Sequence, residues 1–483
     1  MNVIVFIMVV YLAAMVGIGV YARSRITTTE DYHLAGRRLG VLMTAGTLAA
    51  TEIGGGSSVG VASKAYGDWG LSAGWYVVSA GIGILLVSFV APALRRSMAT
   101  TVPEIIGRRY GAPSQTITAL LGGVALVALA AVQITATATI VSTLGGVNMQ
   151  LAIVVSGIAV VLYTWLGGMW SVTLTDFVQF FLIVVGFAIA APFAINAAGG
   201  WGSVVDRLPP GQLGFTKIGW PTIISLIVLY FMTFSTGQEA VQRYYSAKSP
   251  RVAVLGSLLC GLLMSAYAFI PAILGLVAKA QFPGIKDNNA LATVAVELLN
   301  PVIAGLLLSA VISATLSSAS GDLLGAATIY VKDLHPKLTR RPLTDQAELG
   351  LSRLIVLLVG AVAIGISLWS GQIIPLLVFA FTMRSAGPFA AFIFGLMWRR
   401  TSRMAGLWSI IVGTVVGVVW QMNKPSLPLV GAIDAIIPAA LIGVAVFLAL
   451  HAVDARRGRL VGDAYGPGVE SAAPAAPAGP QDA

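Results

Sequence analysis

The sequence predicts an all-α integral membrane protein with about thirteen transmembrane helices, on three observations. Hydrophobic residues make up 57% of the 483, charged residues only 10%, and mean hydropathy is +0.89. Roughly a quarter of an ordinary soluble domain is charged, so a soluble fold of this length would lack the charge to cover its surface. Apolar runs of about 20 residues, the length that crosses a bilayer, recur with no long polar insert. Lys and Arg gather in alternate loops. Together these exclude a soluble enzyme and most nucleic-acid binders.

The runs fall at 3–22, 39–65, 69–94, 114–145, 149–168, 172–198, 220–243, 252–280, 300–331, 348–370, 372–398, 404–422 and 430–452. They form one transmembrane domain over residues 1–455, followed by a tail over 456–483. The first run has no positive segment before it, and Arg23 and Arg25 follow it. It reads as a retained helix rather than a cleaved signal. The tail ends SAAPAAPAGPQDA and has no apolar periodicity, so it is expected to be disordered and cytoplasmic.

An N-terminus outside places 22 of the 29 Lys and Arg residues in cytoplasmic loops and six outside, with Arg384 alone inside a span. That skew predicts an outside N-terminus and a cytoplasmic C-terminus in the cell membrane. It also accounts for the +10 net charge and the pI near 9.8 without nucleic acid as a partner. Cys260 is the single cysteine, so no disulfide framework is available. His33, His335 and His451 fall in or beside basic loops with no metal-type spacing. They are expected to be exposed or interfacial.

The second run contains Gly54, Gly55 and Gly56, followed by Ser57 and Ser58. Each glycine weakens a helix by about 1 kcal/mol relative to alanine. An unwound backbone is not tolerated against lipid, so a break here should face an internal cavity. Close helix packing through small residues is the other reading. Intramembrane charges are costly and rare. They are Glu52, Asp176, Glu239, Asp322 and Arg384, while Asp68 and Asp434 sit near outer ends. In the ninth run, Ala314, Ser317, Ser318 and Gly321 share one helical face. Neutral oxygens of this kind suit a hard monovalent cation such as sodium. Equally, buried hydroxyls of this kind bond back to helix carbonyls or hold helices together.

Five stretches, in order, resemble the sodium:solute symporter family. They are Tyr32-His-Leu-Ala-Gly-Arg-Arg-Leu-Gly40, Ala49-Ala-Thr-Glu-Ile-Gly-Gly55 and Gly167-Gly with Thr175-Asp-Phe-Val-Gln179. The other two are Gln242-Arg with Ala247-Lys-Ser249, and Ala314-x-x-Ser317-Ser318 with Leu323-Leu324 and Lys332-Asp333. The resemblance covers residues 3 to about 452. It implies a LeuT-type five-plus-five inverted-repeat core over about 39–398, with one helix before it and two after. The second and seventh runs would be the discontinuous helices, broken at Gly54–Gly56 and within Ser235-Thr-Gly-Gln238.

The resemblance further implies a sodium site formed by the carbonyls of Ala50, Ile53 and Ala314 with the hydroxyls of Ser317 and Ser318. Asp176 matches an acid on the inward ion route. Ser320 matches one residue of a second sodium site found in some members, but Gly321 removes a hydroxyl from it. Asp322 stands where members often carry glutamine, and Glu52 at a position that is acidic in some. Solute contacts are expected beside both breaks, at Ser57, Ser58, Trp75, Tyr76, Gln238, Glu239, Tyr267 and Arg384. A buried Arg384 needs an anion, either a solute carboxylate or an internal partner such as Glu239 or Asp322. The expected function is sodium-coupled import of a small organic solute by alternating access, with sodium as the coupling ion and no catalytic residue. Proton coupling on the same fold, or solute sensing without net transport, are the alternatives.

Overall fold

The computed structural model describes residues 2–23, 28–339, 343–370, 373–423 and 434–462. Residues 463–483 of the tail expected to be disordered lie outside the described residues, as do Arg25, Arg340, Arg341 and Lys424. Among the described residues the chain is helical, with no strand beyond two isolated bridges, Leu39 with Ala247 and Thr401 with Val461.

Helix α1 (Asn2–Arg23) precedes the core, and α2 (Thr29–Leu34) is a short connector closed by a capping box between Thr28 and Asp31. Then α3 (Val41–Glu52) stops at Ile53, a π-helical turn runs over Gly56–Gly60, and α4 (Val61–Tyr66) completes the second span. After a 3-10 turn come α5 (Trp75–Val87), α6 (Ala91–Arg96) and α7 (Val102–Tyr110). The expected run over 69–94 therefore ends near Val87. Long helices α8 (Ala112–Gly145) and α9 (Met149–Ala197) follow. The two spans expected at 149–168 and 172–198 are the two halves of α9, which breaks at Gly168, whose φ of +51° and ψ of −164° are non-helical and adopted readily only by glycine. A side chain there would also meet the Tyr32 ring, 2.5 Å from its Cβ.

The second half opens with α10 (Gly200–Arg207). Next come α11 (Trp220–Thr236) and α12 (Gln238–Ser246), bent by 56° at Gly237. Helices α13 (Pro250–Tyr267), α14 (Phe269–Gln281) and α15 (Ala290–Leu298) lead to α16 (Pro301–Ile329), capped by Asn300. The rest are α17 (His335–Thr339), α18 (Asp345–Ser370), α19 (Ile373–Ser385), α20 (Pro388–Met397), α21 (Arg403–Met422) and α22 (Ile436–Arg456). A 42° bend between α19 and α20 was not expected. It falls at Gly387, where a Cβ would lie 2.2 Å from the Ile410 carbonyl.

Among the described residues, nine helices are long and apolar enough to cross a bilayer, or eleven if each bent pair counts once. By that measure the expected thirteen is not reached. The two left over are the broken second span, whose halves are separately short, and Met149–Leu162 at the start of α9.

Helix α16 is the axis of the bundle. Its most apolar stretch is 89% buried, against 24% for α1 at the rim. Its Gly, Ala and Ser residues let α3, α8 and α9 approach closely. His33 is a correction to the sequence reading: it is 1% exposed, packed between α16 and α18. Its Nδ1 lies 2.9 Å from Thr328 Oγ1 and its Nε2 3.4 Å from Glu348, which also pairs with Lys332 at 2.6 Å. Burial holds the His33 pKa below the ordinary histidine value.

Candidate functional site

The site grows from the break after α3. Glu52 is the last helical residue, and Ile53 takes φ −84° and ψ 74°. Glycine is required here for space. A Cβ on Gly54 would lie 2.5 Å from Ser318 Oγ, and one on Gly55 would lie 2.5 Å from the Ala136 Cβ. Polar side chains hold the opened backbone: Gly55 N donates to Gln133 Oε1 at 2.8 Å, and Ser58 Oγ to the Gly54 carbonyl at 2.7 Å. The Ala50 and Ile53 carbonyls, both in fully buried residues, accept no hydrogen bond among the described residues.

Ser318 joins this break to α16. Its hydroxyl lies 2.5 Å from the Thr51 carbonyl and 3.1 Å from that of Ala314. One residue earlier, Ser317 Oγ donates to Asp176 at 2.6 Å. Asp176, on α9, is fully buried and also receives Thr47 Oγ1 at 2.5 Å. The Arg243 guanidinium stands 3.4 Å from the same carboxylate. Thus four of the six residues read as first-sodium or ion-route positions—Ala314, Ser317, Ser318 and Asp176—are linked by direct hydrogen bonds or through α16, and Ala50 and Ile53 flank Thr51. Ser320 instead donates back to the Ser317 carbonyl at 2.8 Å, and the Arg243 guanidinium covers Gly321, 3.0 Å from where a Cβ would sit.

Beside the break lies a cavity of about 40 Å³, room for a water-sized group. Of the expected solute residues, Ser57, Tyr76 and Glu239 line it, together with Glu52 and Asp322. Arg384 pairs with Glu239 at 2.5 Å, with both side chains under 5% exposed. Glu239 is thus the internal ion partner of this buried Arg, although among the described residues none of its guanidinium nitrogens makes a hydrogen bond. Four expected residues lie elsewhere. Trp75 Nε1 donates to the Phe215 carbonyl at 2.9 Å and its ring meets Trp220, while Tyr267 packs edge-on against Phe187. Gln238 bridges the Thr100 carbonyl and Val102 N, and Ser58 caps the broken backbone. Gln133, Tyr230 and Phe381 line the cavity and were missed. For Gln133 the signal was there: a glutamine in the middle of the apolar run of α8, far from the other, Gln115, at its start.

The second break is pinned differently. Thr233 and Thr236 on α11 lie 2.9 and 3.2 Å from Ser385 Oγ on α19, and the Glu239–Arg384 pair spans the same joint.

A helical membrane bundle with two broken helices beside a buried polar cavity is the architecture of many secondary transporters. The comparisons specify which kind. Residues 32–413 match the model of the Sodium:solute symporter family. The osmoregulated proline transporter OpuE of Bacillus subtilis is 26% identical, over 85% of this chain and 87% of that one. The sodium/pantothenate symporter of Escherichia coli is 28% identical, over 91% and 94%. Among solved structures, a Na+-coupled sialic acid symporter superimposes with a TM-score of 0.80 at 19% identity, over 94% of this chain and 98% of that one. The chain belongs to the sodium:solute symporter family. It has the LeuT-type fold that the resemblance implies, and it is a multi-pass membrane protein that couples movement of a small solute to sodium.

Proposed function

We propose that sodium is held where the break after α3 meets α16, by the carbonyls of Ala50, Ile53 and Ala314 and the hydroxyls of Ser317 and Ser318. The single observation that carries this is the Ser318 hydroxyl, which reaches the Thr51 carbonyl across the two helices. The donor set fits the ion. Ser317 gives its proton to Asp176 and Ser318 to a carbonyl, which leaves both oxygens with free lone pairs. The two carbonyls without hydrogen bonds are further hard, neutral ligands.

In this reading Asp176 receives the ion on its way inward, handed over by Ser317, with Arg243 holding the carboxylate until then. Ser320 and Gly321 do not form a second sodium site, because the Arg243 guanidinium covers Gly321. The solute site lies at the cavity beside Glu52, Ser57, Tyr76, Glu239 and Asp322, which widens beyond its present volume of about 40 Å³ when the bundle opens to admit solute. Sodium bound at the break favours an outward-open bundle, solute closes it, and both leave inward by alternating access across the cell membrane. The skew of Lys and Arg supports an outside N-terminus, and an inside-negative potential adds about 2.3 kcal/mol per charge per 100 mV to import.

The test is a sodium titration of the melting temperature of the purified protein, with potassium keeping total salt constant. Sodium should stabilise the native chain, since a ligand of the folded state raises apparent stability. Ser317→Ala and Ser318→Ala should each shift the titration to higher sodium, by about tenfold for one lost ligand worth about 1.4 kcal/mol. An unchanged titration in both variants contradicts the assignment.

A further inference from the structure

The cavity holds more acid than base. Glu52, Glu239 and Asp322 all line it. Arg384 answers one of them, through Glu239 Oε1 at 2.5 Å. Arg243 is engaged elsewhere, with Asp176 at 3.4 Å and the Glu239 carbonyl at 2.6 Å. Glu239 Oε2 and Glu52 Oε1 are buried and meet no hydrogen-bond partner among the described residues, and Glu239 is only 3% exposed. Glu52 also ends α3, so the negative end of that helix dipole faces the same space.

Three aromatic rings, Tyr76, Tyr230 and Phe381, share the rest of the wall with Leu129, Leu377 and small or neutral polar residues. Tyr76 and Tyr230 meet edge to face with centroids 5.4 Å apart, and Tyr230 and Phe381 do so at 6.0 Å. The face of Phe381 is taken by Arg384, 4.9 Å from its centroid.

This combination selects among ligands. Among the described residues no three acidic, His or Cys side chains converge on one point, so these acids do not form a site for a multivalent metal ion. A neutral polyol brings no charge to draw these acids into ionised form, and an anion would oppose their ionisation in a buried space. Separated carboxylates and ring faces together suit a cationic nitrogen on a carbon frame, which is attracted by both.

We propose that the solute carries a cationic nitrogen, bound by Asp322 and Glu52 against the rings of Tyr76 and Tyr230. This rests on the reading of the cavity as the solute site. The test measures melting of the purified full chain with four probes, each in sodium and in potassium. The probes are choline, proline, 3,3-dimethyl-1-butanol (choline with carbon in place of nitrogen) and succinate. Choline or proline should stabilise the protein in sodium, and the carbon isostere and succinate should not. In Asp322→Asn the concentration of the active probe needed for half its effect should rise about tenfold, the loss of one charged contact. Stabilisation by the isostere or by succinate equal to that of the nitrogen compounds overturns the proposal. So does a failure of both nitrogen compounds to stabilise the native chain. A nitrogen compound that stabilises equally in sodium and potassium leaves this proposal standing and contradicts the sodium-linked reading instead.

Discussion

The two broken helices solve the same problem with different chemistry. After α3, three glycines open the backbone and neutral groups hold it: the Gln133 amide, the Ser58 hydroxyl and the Ser318 hydroxyl. Between α11 and α12, one glycine opens the backbone, and the buried Glu239–Arg384 ion pair and the Ser385 hydroxyl hold it. Neither break needs a left-handed residue. Gly55 has φ −58° and Gly237 φ −72°. Both need space: a Cβ on Gly54 would lie 2.5 Å from Ser318 Oγ, and one on Gly237 2.7 Å from the Thr233 carbonyl and 2.9 Å from Arg384 Cζ. A joint held by neutral dipoles keeps its oxygens available to a cation. A joint closed by an ion pair has already satisfied its charge. The first break is therefore the one suited to reversible ion binding.

The largest effect separating the two should come from Arg384. Arg384→Leu leaves Glu239 buried without its cation, which costs about 3–5 kcal/mol. Adding Glu239→Gln should recover most of that loss, as measured by thermal unfolding in detergent. Equal melting of the single and double variants would mean that the pair does not hold the second joint.

Next come the glycines. Gly54→Ala and Gly237→Ala should each cost about 1–3 kcal/mol by overpacking. They should part company in the sodium titration, which Gly54→Ala shifts to higher sodium and Gly237→Ala leaves in place. A sodium titration moved equally by both would erase the distinction between the joints.

The smallest effect lies away from either break. His33 is buried with its pKa lowered, so below about pH 6.5 the unfolded chain binds a proton that the folded chain does not. Stability should therefore fall as pH drops through that value, by at most about 1.4 kcal/mol per pH unit from this group. His33→Asn should flatten the melting profile between about pH 7 and 5. A profile as steep as the native one would assign the acid sensitivity to other groups.

Legibility in the sequence followed the same physics. Burial on all sides writes a strong signal, so α16 was found within a residue or two of Pro301–Ile329. Three consecutive glycines in an apolar run also announce themselves, whereas Gly237 and Gly387 look like any small packing residue until a neighbour's carbonyl is placed against them. Sequence position gives depth along a span but not which way a residue faces. Trp75 and Tyr76 are adjacent, yet only Tyr76 reaches the cavity. Tyr230 and Phe381 come from α11 and α19, whose approach to the cavity nothing local encodes. His33 was misread because its neighbours are basic, while its partners, Thr328 and Glu348, are some three hundred residues away. Arg384 was legible as a buried charge needing an anion, and the fold supplied Glu239.

Whether the first break and α16 together bind the coupling ion is tested most directly by a pair of high-resolution maps of the protein, one in sodium and one in potassium. Density for an ion between Ala50, Ile53, Ala314, Ser317 and Ser318 should be present only in sodium. Sodium-dependent density among Glu52, Glu239 and Asp322, with none at Ser317 and Ser318, would contradict that assignment.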